Sequence, residues 1–348
     1  MRQNVSRLSL LCILLCMPFL AAWSIGSIAS REKKETFSFK NIKENSLLIL
    51  SKDFGNITIT QWDKDEIFME RKQTVSASTG DRAQKKLESR VVKPKKNGDT
   101  YTFELTFKDG NLPNDKYNFD DVWTLYVPKN KCSYDVENKF GDVIFLNNFK
   151  CNSLKAKMNF GKLSIQEADA KDRCKIEVTH GGLNINRINQ ATVNTKFTDI
   201  EIGRAGELTF NVAFGNAKIK HLDSGTGEAS FSNLSISSLR KNLELSKCSH
   251  GNADVTLSDA QAFENLSINS NFGNINLYLS DKIEARYNIE SKHGNIKMKS
   301  TVHTMFKQDG EADEKFVQIN RGYFRKNSAT HANIYISAKY GNVTVKDR

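Results

Sequence analysis

The 348-residue sequence predicts an all-β protein, a parallel β-solenoid (β-helix) of about ten short coils with a mixed, mainly antiparallel N-terminal cap. The first observation behind this is a recurring phrase: an aromatic residue, then glycine, then asparagine. Its copies begin at Phe54, Phe140, Phe160, His180, Phe197, Phe214, Phe231, His250, Phe272, His293 and Tyr340. Between Phe140 and His293 the steps are 20, 20, 17, 17, 17, 19, 22 and 21 residues, so one unit is about twenty residues long. The second observation is period-two alternation on both sides of each glycine, as in Leu154, Ala156, Met158 and then Leu163, Ile165. Alternation at that period means strands. The third is that helical spacing and helix caps are missing from this region, and strands alone, repeated every twenty residues, stack as a solenoid.

Taken in chain order, residues 1–29 read as an export signal. Arg2 and Arg7 precede an uncharged run from Leu8 to Ala29, and Ser27 and Ala29 supply the small residues of a cleavage site. If retained, the same run is long enough to anchor the chain in a bilayer. The net charge is +11, and +9 once Arg2 and Arg7 are removed. The rest, residues 30–348, is expected to be one solenoid domain with a cap insertion at 65–130 and a second insertion at 301–332. The first insertion holds strand-like stretches at Glu66–Val75, Tyr101–Phe107 and Val122–Val127, a helix-forming segment at Asp81–Arg90 and a polar loop at Lys108–Asp121. The second gathers basic residues around Phe316, Tyr323 and Phe324, as either a covering hairpin or an exposed loop. Arg321, Tyr323, Phe324 and Arg325 are its candidate binding residues.

Each residue of the phrase has an expected task. The glycines, among them Gly55, Gly141, Gly215, Gly251, Gly273, Gly294 and Gly341, are expected to take a positive backbone angle at the bend, with Thr198 and Ser232 as the exceptions. The next residue is Asn or Asp in nine of the eleven copies: Asn56, Asp142, Asp199, Asn216, Asn233, Asn252, Asn274, Asn295 and Asn342. Stacked about 4.8 Å apart, these can bond to one another in a ladder. The aromatic residues are expected to stack inward.

Candidate sites are few. His180, His250 and His293 all occupy the aromatic slot, at expected separations of about 19 Å and 10 Å for ~4.8 Å coils, too far apart to share a metal. Asp169, Asp223, Asp259 and Asp281 each lie nine residues after an aromatic. Asp259 and Asp281 fall on neighbouring coils, where carboxylates ~5 Å apart would suit a retaining glycosidase; the short coils leave no long loops for a substrate cleft, and an Asp that closes a strand into a turn is ordinary turn chemistry. Cys132 and Cys151 fall on successive coils and could form a disulfide. No catalytic, phosphate-binding or zinc-binding motif occurs, so no cofactor and no metal are expected.

The strings FGNITITQWDKDEIFMERKQTVSA, YVPKNKCSYDVENKFGDVIF and FGNINLYLS together resemble bacterial "putative adhesins" with β-strand repeats, a domain of unknown function related to auto-transporter adhesin head domains. The resemblance runs from about Thr36 to the end of the chain. It implies a right-handed β-helix in the cell envelope, exported to the periplasm or cell surface and not an enzyme. The expected partner is an envelope glycan or protein, with no nucleic acid, and with a membrane only through an uncleaved N-terminal segment. Two other readings stay open: a polysaccharide-active enzyme using Asp259 and Asp281, and an envelope scaffold that holds a protein partner through residues 301–332.

Overall fold

The computed structural model describes residues 28–108, 118–300, 303–305, 316–325 and 331–348. All but the last two residues of the expected export signal therefore lie outside the described residues. No described helix is long and apolar enough to cross a membrane. The first part of the chain forms β1 (Ala29–Lys40), β2 (Ser46–Phe54), β3 (Asn56–Trp62), β4 (Glu66–Ala77), α1 (Gly80–Ser89), β5 (Arg90–Asn97), β6 (Thr100–Phe107) and β7 (Asn118–Pro128). The repeats follow as β8 (Cys132–Phe140), β9 (Val143–Cys151), β10 (Leu154–Ala170), β11 (Cys174–Ala213), β12 (Ala217–Ser230), β13 (Leu234–Ser249) and β14 (Ala253–Leu257). The chain ends with β15 (Asn265–Asn271), β16 (Ile275–Leu279), β17 (Ala285–Lys292), β18 (Ile296–Lys299), β19 (His303–Met305), β20 (Val317–Phe324), β21 (Asn333–Lys339) and β22 (Val343–Asp347).

Contacts divide the described residues into two units, the smaller drawn from those within 28–34, 72–91 and 106–121 and the larger from those within 35–71, 92–105 and 122–348. The smaller unit holds α1, the helix expected from Asp81. Thr79 caps it by accepting the Arg82 amide at 3.3 Å, which satisfies one of the donors a helix start leaves unpaired. Its apolar side, Ala83 and Leu87, packs with Val75, Ala77 and Phe119. The Arg90 guanidinium lies over the Phe119 ring at 3.4 Å. The expected polar loop is shorter than its sequence suggested: residues 109–117 are outside the described set, and Asn118 already begins β7.

The larger unit is a parallel stack. Successive copies pair in register, and one inward column can be followed through Ile57, Val143, Leu163 and Leu183 at one end. It runs on through Ile200, Ala217, Leu234, Ala253, Ile275, Val343 and Ile296. All of these are buried except Ile296, which is half-buried. Full burial of one such side chain stabilises by about 1.5–3 kcal/mol. A single period-two pattern thus builds a core shared by every copy.

Two features differ from the sequence-based expectation. The strands that flank the first repeat on its far side are parallel, not antiparallel: β6 pairs with β2 from Leu47↔Thr100, and β7 with β3 from Asn56↔Val122. At the other end, β20 covers β17 in antiparallel pairing with Ala285 opposite Phe324 and also meets β19. The covering-hairpin reading of residues 301–332 is therefore the one the described strands follow.

The second difference is order. The last copy in sequence is not the last in the stack: β21 pairs with β15 on one side and β17 on the other, and β22 lies between β16 and β18. His250 and His293 are consequently three steps apart, with Phe272 and Tyr340 between them, and not two.

Candidate functional site

The bend of each repeat carries the feature that stands out. Twelve rings stack face to face in the order Phe54, Phe140, Phe160, His180, Phe197, Phe214, Phe231, His250, Phe272, Tyr340, His293 and Phe316. Centroids are 4.5 to 5.4 Å apart along the file, and interplanar angles stay between 3° and 27°. The rings do not point inward, as the alternation suggested; Phe140 is 41% and Phe231 51% exposed.

The reason is in the backbone. From His180 onward it is the aromatic residue, not the glycine, that sits in the left-handed region, with φ of 52° to 59° in all eight copies. Parity of inside and outside holds only while the chain is extended: from His180 onward the left-handed ring residue itself is turned out, and before it the break lies one residue on, at Gly55, Gly141 and Gly161, with φ of 99°, 117° and 136°. A stack contact contributes about 0.5–1.5 kcal/mol, against roughly 1–2 kcal/mol for a left-handed residue with a Cβ. Phe214→Ala is accordingly expected to lose about 1–3 kcal/mol, two ring contacts with the backbone cost unchanged. Phe214→Gly is expected to recover about 1 kcal/mol of this. Urea midpoints that rank alanine above glycine would refute the backbone account.

Two residues after each ring runs the asparagine ladder, here as expected. The side-chain oxygen of one copy accepts the backbone N–H of the next: Asp199 from Asn216 at 2.9 Å, Asn233 from Asn252 at 3.1 Å, Asn252 from Asn274 at 3.1 Å. Asn274 then accepts from Asn342 and Asn342 from Asn295, both at 3.0 Å. A shorter run links Asn56, Asp142 and the Lys162 amide, each bond 2.8 Å long. The break falls where the phrase has Lys162 and Gly182.

An open groove of about 800 Å³ lies along this ladder. Asp199, Asn216, Asn233 and Asn252 line it together with Asn184, Glu201, Lys218, Ser235 and Asp254. Glu201 is paired with Lys220 at 3.1 Å, and Asp254 accepts from the Asn276 amide at 2.7 Å. The surface offers many hydrogen-bonding groups in a row. Among the described residues no group of three or more metal-ligating side chains is placed to hold an ion.

The other sequence candidates separate. Asp259 caps a turn by accepting the Gln261 and Ala262 amides at 3.1 and 3.2 Å, and pairs with Arg240 at 3.3 Å. The Ala262 amide, then that of Gln261 and the Arg240 guanidinium, hold its carboxyl below the usual range. A glycosidase acid needs the opposite shift. Asp281 is exposed in the turn after β16, and neither aspartate lines the groove. Asp223 bridges Arg204 and Arg240, and Asp169 accepts the Asn189 amide. Phe324 is 1% exposed and packs against Tyr287 with the rings tilted by 34°, so it is core and not a contact residue. Arg321 is exposed and reaches Asn288, while Tyr323 and Arg325 are half-buried.

The cysteines Cys132, Cys151, Cys174 and Cys248 are buried free thiols, and the expected Cys132–Cys151 bridge is not formed. Register explains this: the carbonyl of Cys132 accepts the Asn152 amide, whereas Cys151 pairs with Ala170. The two thiols are one residue out of step. Burial pushes Cys132 up to about 11 and Cys174 up to about 12, and raises Cys151 and Cys248 as well. In residues 31–348 none of these four thiols is expected to react with iodoacetamide in the native protein at pH 8, and all four should react in denaturant, as read by intact mass. Because each folded pKa is raised, the stability these thiols contribute is complete below the unfolded value of ~8.5 and falls as pH climbs through the folded values. Urea midpoints should therefore decline only above that point.

An all-β stack with one exposed ridge of rings and amides is a β-solenoid-like fold. The Toastrack DUF4097 family model matches residues 45–346, and the chain belongs to that family. No curated protein matches it. Among solved structures, a "putative cell adhesion protein" from Clostridium sporogenes is 13% identical with a TM-score of 0.23, covering 91% of this chain and 100% of its own. A "putative adhesin" from Parabacteroides distasonis is 12% identical with a TM-score of 0.36, covering 93% and 98%. A "putative lipid binding protein" from the same organism is 11% identical with a TM-score of 0.35, covering 90% and 96%. Likeness at that level carries no argument about this chain.

Proposed function

We propose that this chain is an exported, non-enzymatic envelope protein that binds an extended, oxygen-rich glycan along the ring file and the groove beside it. The observation that carries the reading is the half-exposed file of twelve stacked rings running beside a polar groove. A contiguous exposed apolar strip of this length marks an interaction surface. Because neighbouring rings cover one another's faces, their edges are what solvent meets, and the edge is the positive end of the aromatic quadrupole. Electron-rich oxygens suit that edge, and the groove adds amide and hydroxyl partners. The charge of +9 left after removal of Arg2 and Arg7 favours acidic members of the class. Asp259 is committed to two turn amides and to Arg240, and neither it nor Asp281 lines the groove, which weighs against the enzyme reading.

The test is a glycan array with residues 31–348 at low and high salt, beside the variant Phe197→Gly, Phe214→Gly, Phe231→Gly, which keeps the left-handed bends open. Binding that survives salt and is lost in the variant is the expected result. A blank array, or binding that disappears with salt alone, would refute the reading, since simple ionic attraction is screened within about 10 Å at 0.1 M.

A further inference from the structure

The charge of this chain is unevenly placed. Residues 285–348 hold twelve basic and six acidic residues, so +6 of the +9 carried by residues 31–348 falls in the last 64 positions. Four of those acids lie within 309–314, outside the described residues. The other two are Glu290 and Asp347, and Asp347 accepts the Ser300 hydroxyl at 2.6 Å.

The lysines gather where the stack ends. β18 pairs with β22 from Ile296↔Val343 to Lys299↔Lys346, which sets two lysines directly opposite at an interstrand spacing of about 4.8 Å. Lys297 lies two residues before Lys299, about 6.6 Å along the same face. Thr344 stands opposite Lys297 and completes a rectangle of three lysines and one threonine. Lys297 and Lys299 are exposed, and Lys346 is half-buried over the Tyr278 ring at 5.4 Å. On the same two repeats Lys292 and Lys339 are register partners as well. Like charges set opposite each other destabilise a sheet. Earlier in the stack an acid on the adjoining repeat relieves several lysines: Asp53 for Lys139, Asp135 for Lys155, Glu137 for Lys157 and Glu201 for Lys220, at 2.7 to 3.3 Å. No described carboxylate forms an ion pair with Lys297, Lys299 or Lys346. Along β18 the apolar Ile296 and Met298 alternate with the lysines and stay half-buried, since no described strand pairs with β18 on its outer side.

We infer that this lysine pad is a docking surface for the phosphates of an anionic lipid bilayer. It adds a membrane contact far along the chain from the N-terminal segment, and it does not depend on the glycan reading, because none of the three lysines lines the groove. A polyanion lying along the stack would gain from cations spread over many repeats, and these are gathered on two. A lone phosphate would meet an open sheet face with no walls to hold it. The phosphates of a bilayer can meet all three ammonium groups at once, and Ile296 and Met298 between them suit its interfacial layer.

Vesicle flotation with residues 31–348 tests this, a chain that keeps the whole larger unit and leaves out the apolar run that would itself enter a bilayer. Vesicles of phosphatidylcholine mixed with phosphatidylglycerol are expected to carry the protein, and vesicles of phosphatidylcholine alone are not. A lysine near an anionic surface is worth roughly fivefold in affinity, so Lys297→Gln, Lys299→Gln, Lys346→Gln should bind on the order of 100-fold more weakly. The control Lys155→Gln, Lys157→Gln, Lys220→Gln removes the same charge from lysines that already have acid partners, and should bind within about fivefold of the parent. Equal losses in the two variants would mean that net charge attracts the bilayer, and would overturn the proposal. So would a failure to bind, displacement by inorganic phosphate at constant ionic strength, or lysine-dependent binding to soluble polyphosphate that exceeds binding to vesicles. The urea midpoint of the pad variant should match or exceed that of the parent, because the removed charges repel. A clear fall would place the lysines in the support of the fold and count against the pad.

Discussion

Gly273→Ala is expected to lose on the order of 3 kcal/mol or more, beyond the usual overpacking range because backbone and not side chain obstructs the new methyl group. The added Cβ would sit 1.8 Å from the carbonyl oxygen of Gly251 and 2.9 Å from its carbonyl carbon. Relief would require the repeats to separate, breaking the Asn274 to Asn252 bond and the Phe272 to His250 contact with them. In a chain of this size a loss of that order corresponds to a melting temperature lower by roughly 4–5 °C. Gly98→Ala is the control. Its φ is +59° but nothing lies within 4 Å of the added atom, so it should cost only the left-handed penalty of about 1 kcal/mol. Equal losses at the two sites would mean that backbone angle, and not close approach, is what the repeat glycines supply.

Trp123→Ala is expected to cost about 3–5 kcal/mol, the range for removing a fully buried large aromatic. Trp123 is 0% exposed in the core of the larger unit, and the Lys52 ammonium lies over its ring at 4.7 Å. Lys52 is itself 2% exposed and donates to the Asn56 carbonyl at 3.0 Å. Removing the ring leaves a cavity and takes a π face from a buried cation, so two losses add. Lys52→Met keeps most of the volume and removes the charge, and its loss should be clearly smaller. If urea unfolding instead ranks Lys52→Met as the worse variant, the charge contact and not the packed ring carries the site.

Much of this protein can be read from its sequence, and what cannot has a common cause. The recurring phrase and its alternation identify strands, parallel stacking and the asparagine ladder, because each depends on a residue and its copies twenty positions away. Three decisions lay outside that information. The rings face solvent because residues such as Phe214, at φ 57°, break the extended geometry on which parity rests. Cys132 and Cys151 fail to meet because register is fixed by the whole ladder, which aligns Asn152 and not Cys151 with Cys132. Tyr340 stands between Phe272 and His293 because every copy offers nearly the same pairing surface. The sequence by itself determined what each repeat looks like and which neighbours it could accept. Which neighbour each repeat received was decided only by tertiary structure, where the covering of β17 by β20 and the place of β21 beside it are settled by contacts that no local pattern contains.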